Sequence, residues 1–199
     1  MVMVSGLALG YSCITHPEPM SPSVIASPDW LLIHALFAVS LVLGLLGTTS
    51  LYAVSARRTG LLGLLGYLLL FVGMMMIFGL DYYELFVAPY LAVNYPQVII
   101  DTGAGDTMGL VAIAFPASGM LTVIGYALLA LAWKRASIVP GPVGIALFWS
   151  SIAFGAGLSP LGGLLLARIT ATLFGAVLVA VGIVALLQNR NFEAAAKRR

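Results

Sequence analysis

The sequence predicts an all-α bundle of about six membrane-crossing helices, one integral membrane domain over residues 1–199. Three observations carry this. Apolar residues make up 61% of the chain and charged ones only 8%, with a mean hydropathy of +1.09, whereas about a quarter of a soluble domain is charged. The apolar runs approach membrane length and are separated by short stretches rich in Pro, Gly and charge. Eight of the nine Lys and Arg residues fall on alternate connections or on the C-terminal tail, the pattern a positive-inside bias leaves. No soluble-type stretch exceeds about fifteen residues, which leaves no separate catalytic or nucleic-acid-binding domain in the sequence.

The spans read in order as 1–15, 30–55, 60–91, 108–133, 142–158 and 160–187. The first is short or truncated, since fourteen apolar residues make about 21 Å of helix against the ~20 residues a span needs. A secretory signal fits less well, because no Lys or Arg precedes the run. Residues 16–28 hold four prolines in thirteen positions and read as a loop. Pro28 and Asp29 suit the first turn of the second span, which Trp30 and Tyr52 frame at headgroup level.

Arg57 and Arg58 close that span and Gly60 opens the next, which Pro89 kinks or ends. Residues 92–107 read as a loop whose TGAGDT lacks the Lys-Ser/Thr of a phosphate loop, with Asp106 or Thr107 capping the following helix. Pro116 and Gly119 predict a kink in the fourth span. Ser159 and Pro160 read as a cap and first-turn proline for the sixth. The basic side reads as the cytoplasm, with both termini on it, and Glu18, Asp29, Asp101 and Asp106 on the opposite face.

A first span ending in His16-Pro17, a second opening with Asp29-Trp30, the basic turn Arg57-Arg58 and the segment Tyr83-Glu84-Leu85-Phe86-Val87-Ala88-Pro89-Tyr90-Leu91-Ala92 carry a resemblance. With these features the chain resembles a loose group of small, uncharacterised bacterial inner-membrane proteins of about six spans. The resemblance covers most of the chain and implies a multi-pass inner-membrane location. It brings no activity with it.

Four residues form the expected intramembrane polar cluster: Glu84, Arg168, Asp81 and His34. Arg168 lies about 12 Å past Pro160, where an arginine costs about 2.5–3.5 kcal/mol on insertion scales. Either it pairs, with Glu84 the expected partner, or it snorkels to the headgroups. Asp81 and Glu84 share a helix face with Gly66, Leu70, Gly73 and Ile77, narrow enough for another helix to approach. Asp81 reads as a solvated acid just beyond the membrane boundary.

His16 and His34 are weak candidates for a metal or haem site, since neither sits in a ligand-spaced motif. Met74, Met75 and Met76 point in three directions as packing residues. Cys13 reads as a small apolar filler.

These readings order three expectations for function. The first is a non-enzymatic inner-membrane protein, a structural or accessory subunit of a larger membrane complex, with the lipid bilayer and other membrane subunits as partners and no nucleic acid. The second is a small transporter or proton-coupled protein using Glu84 and Arg168. The third is a haem or metal redox protein using His34; no cofactor is expected in the first two.

Overall fold

The computed structural model describes residues 1–18, 20–102, 109, 111–158 and 163–196. Among these the secondary structure is entirely helical. Helix α1 (Val2–Thr15) is followed by a single turn, α2 (Pro22–Ile25), and by α3 (Pro28–Tyr82). A π-helical turn (Tyr83–Val87) leads into α4 (Ala88–Asn94) and α5 (Pro96–Thr102). The chain continues with α6 (Val111–Arg135), α7 (Gly141–Gly157) and α8 (Gly163–Ala196).

Three helical stretches are long and apolar enough to cross a membrane: Pro28–Asn94, Ile113–Arg135 and Gly163–Gln188. α1 and α7 are apolar but shorter.

α3 is two helices joined at a reversal. Gly60 has φ 57° and ψ −150°, a region open almost solely to a residue without Cβ. Residues 28–59 and 61–82 fold back on each other from this point. The stacked rings of Tyr52 and Tyr67, 4.5 Å apart, and the Thr49–Tyr67 hydroxyl bond at 3.1 Å tie the arms near the turn. His34 meets Asp81 far from it.

Successive apolar helices pack antiparallel, and α8 closes the set against α1. The seams are made of small residues. A Cβ on Gly66 would sit 2.8 Å from Leu129 N, one on Gly73 2.6 Å from Thr122 N, and one on Gly182 2.7 Å from Met3 N. The expected narrow face through Gly66, Leu70 and Gly73 is therefore the face α6 covers. The small stripe of α8 likewise lies against α1, where Gly175 meets Gly6. Val54, Leu61 and Leu165 are among the large apolar side chains left on the outer faces.

The ends of the bundle differ in charge. At the basic end the Gly60 reversal carries Arg57 and Arg58, and Arg58 Nη2 donates to Ala136 O at 2.5 Å, beside Lys134 and Arg135. Trp133 closes this end by donating Nε1–H to Ser55 Oγ at 3.2 Å. The acidic end gathers the end of α1, the start of the first α3 arm, the end of the second, and the start of α8 up to Arg168.

Three boundaries differ from the sequence reading. Helix continues to Thr59, past Ser55, because Gly60 ends the arm and Arg57 and Arg58 lie on its last turn. Residues 92–107 are not one loop. α4 runs to Asn94, Tyr95 breaks it, and Pro96 starts α5, as a proline suits a first turn. The 16–28 stretch contains α2, whose Ser21 side chain accepts from Val24 N at 3.4 Å. Helix α6 runs through Pro116. The caps expected at Asp106 or Thr107 and at Ser159-Pro160 lie outside the described residues.

Candidate functional site: a buried His–Asp pair at the acidic end

Pro89 sets up the site. Pro89 has no N–H, and the turn before it is π-helical, with Ala88 N–H bonded to Tyr83 O. In that register Glu84 O would accept from residue 89, so proline leaves this carbonyl without a main-chain donor. The indole of Trp30 supplies one: Nε1–H donates to Glu84 O at 2.9 Å. Trp30 is consequently fully buried inside the protein, at 0% exposure. Ser27 helps to place it by accepting from Trp30 N at 3.3 Å. Ile25, Ala88, Ala92 and Ile99 from α2, α4 and α5 pack with Trp30 as a second apolar cluster over the bundle end.

Beneath this cover, one turn along from Trp30, His34 donates Nδ1–H to Asp81 Oδ1 at 2.7 Å. Both residues are buried, with 7% and 4% exposure. Asp81 is thus an interior acid, which corrects its reading as a solvated residue. The arms are antiparallel, and the register fixed by the Gly60 reversal brings position 81 level with position 34. His34 Nε2 and Asp81 Oδ2 are buried without hydrogen-bond partners among the protein atoms.

His16 completes the group. Its ring lies 5.5 Å from that of His34 and 5.4 Å from that of Trp30, edge-on to both. Trp30 and His34 are 4.5 Å apart. His16 Nδ1 donates to Pro17 O at 3.1 Å. Because Nδ1 is the donor in both imidazoles, each presents its Nε2 lone pair when neutral. Burial, with the nearby His34 and Arg168 adding to it, holds the His16 pKa below its ordinary value despite the opposing pull of Pro17 O and Glu18.

Arg168 does not pair with Glu84. The acid–base side-chain contact within 4 Å among the described residues is His34–Asp81. Arg168 Nη2 instead donates to His16 O at 2.6 Å. His16 is the C-cap of α1, so the guanidinium meets the negative end of that helix and satisfies a terminal carbonyl. This differs from the expected pairing with an acidic side chain. Glu84 is half-buried in the π-turn, and its carbonyl accepts from Trp30.

The four expected cluster residues therefore do gather at one end, joined by His16 and by Trp30, which the sequence reading missed. The available signal for Trp30 was Pro89, whose missing N–H requires a donor from elsewhere. Haem fits poorly: Trp30 touches both imidazoles, so a macrocycle plane between them would pass through the indole. Among the described residues no three His, Cys, Asp or Glu side chains converge as metal ligands. No protein family, curated protein or solved structure matches the chain.

Proposed function

We propose that the chain is a multi-pass inner-membrane protein of about six crossings with both ends cytoplasmic, and that it binds and passes protons through the His34–Asp81 pair. The observation that supports this best is that hydrogen-bonded pair, buried at one end of an apolar bundle. Ionisable side chains are rare and costly inside membranes, and they concentrate where protons or ions move. This reading places the activity on His34 and Asp81, where the sequence had favoured Glu84 and Arg168. The split between a basic end and an acidic end supports the orientation, and the small-residue seams suit helix packing in lipid.

Purified protein in vesicles holding a pH-sensitive dye tests the reading under an imposed potential. Proton flux should exceed that of protein-free vesicles and be lost in Asp81→Asn and His34→Gln. A wild-type flux equal to that of empty vesicles overturns it. Orientation is checked with single cysteines at positions 57 and 101 in a Cys13→Ser background. An impermeant thiol reagent should label position 101 from outside intact cells, and labelling of 57 alone would reverse the topology.

One observation favours the accessory-subunit reading. Trp149 is 62% exposed beside a groove floored by Ala153, Ala176 and Ala180 between α7 and α8, and small residues of this kind admit a second helix closely. Mass analysis after mild detergent purification decides between them: a stoichiometric partner in a preparation without proton flux supports the subunit reading.

A further inference from the structure

His34 can take up a proton at one place. Its Nδ1–H is committed to Asp81, so an incoming proton must reach Nε2, which is buried beneath Trp30 and the apolar cluster of α2, α4 and α5. The second imidazole, His16, half-buried in the connection after α1, has its ring 5.5 Å from that of His34. It is also held in place. Arg168 grips its carbonyl and Pro17 O fixes its Nδ1–H.

We propose that His16 is the outer station of a proton path: it binds a proton from the surrounding water at Nε2 and passes it to His34 Nε2. This rests on the proton-carrying reading of His34–Asp81. The balance is simple. His16 starts neutral with hydrogen on Nδ1 and becomes imidazolium as Nε2 takes the proton. It returns to the same tautomer when that proton leaves, directly or through one water, for His34. His34 then becomes the imidazolium, with Asp81 as its counter-charge and Nδ1–H still bonded to Oδ1. No ring flip is required.

The charges around His16 favour passage over storage. Arg168 on α8 and His34 on α3 oppose a positive charge there, while Glu18 in the same connection favours one. Burial adds to this opposition at His16, whereas at His34 a carboxylate lies 2.7 Å from Nδ1.

The chain has two histidines, so histidine-specific 15N labelling in lipid nanodiscs gives two assignable imidazoles. In the neutral protein both should carry hydrogen on Nδ1 with a bare Nε2. With His34 protonated, His16→Ala should slow exchange of its Nε2–H with water by roughly 10²-fold, the low end of what a positioned proton-transfer group contributes. Added imidazole should restore it.

His16→Gln serves as a second variant, and the His34 Nδ1 shift reports in each whether the Asp81 bond and the local fold persist. Exchange at His34 that is unchanged without His16, or hydrogen found on Nε2 of neutral His34, overturns the proposal. The vesicle assay keeps the two readings apart. Flux retained in His16→Ala alongside unchanged exchange sinks the relay alone. Absent wild-type flux with intact coupling between the histidines sinks the carrier and leaves the relay standing.

Discussion

Along the shaft of the bundle, α6 meets the second arm of α3 backbone to backbone: a Cβ on Gly125 would lie 2.7 Å from Leu70 Cα, and one on Gly73 2.9 Å from Ser118 O. At the acidic end, side chains from distant parts of the chain hold one another, with Trp30 on Glu84 O, His34 on Asp81 and Arg168 on His16 O. The shaft gains dispersion by omitting side chains, and in lipid, where no hydrophobic force drives helices together, close approach is the main attraction available. The end does the reverse. It leaves polar atoms where water is scarce and satisfies them with partners far apart in sequence. One region should therefore be sensitive to added bulk and the other to lost partners.

The largest expected effect comes from separating the His–Asp pair. His34→Leu leaves Asp81 buried without a partner and Asp81→Leu does the same to His34, so each should cost about 3–5 kcal/mol, whereas replacing both with apolar residues is often close to neutral. Thermal midpoints in detergent should fall for each single variant and recover in His34→Leu/Asp81→Leu. That double variant should carry no protons, which makes it a folded, inactive control. Losses that add, with no recovery, would mean the two residues are stabilised independently.

The shaft should respond to one methyl group. Gly125→Ala places its Cβ against the main chain of Leu70, which cannot rotate away, so overpacking should cost about 1–3 kcal/mol. Gly79→Ala, with nothing within 4 Å of its would-be Cβ, should be neutral or slightly stabilising, since alanine is the better helix former. Equal midpoints for the two variants would show that α3 and α6 do not meet as closely as described.

The helical class, the apolar segments and the narrow face of α3 were legible in the sequence because they depend on local composition and period. The site was legible as a set of residues and not as a set of contacts. His34 and Asp81 are 47 positions apart, and their meeting depends on where the chain reverses. The lengths of both arms are set by the single backbone conformation at Gly60. Arg168 was recognisable as misplaced, but its partner is a carbonyl, which every residue carries and no composition reveals. Charges invite pairing with charges, so Glu84 stood out; the contact that holds Trp30 is made by its carbonyl, freed by a proline five residues later.

The smallest expected effect sharpens the account of His16, whose burial is partial. Its pKa is lowered on folding, so below the ordinary value of 6.5 the unfolded chain takes up a proton that the folded chain resists, and stability falls. The contribution is complete above pH 6.5, declines as the pH drops toward the folded-state value, and is fully lost below it. Thermal midpoints in detergent should therefore fall on acidification through this window more steeply for the wild type than for His16→Gln. Arg168→Gln removes one of the charges that oppose protonation, which raises the folded-state pKa and shrinks the interval between the two values. Its midpoint should be the lower at neutral pH, for want of the bond to His16 O, yet less sensitive to acid. Parallel curves for all three proteins would mean that His16 feels neither its burial nor Arg168, and that Arg168 acts on α1 through the carbonyl bond alone.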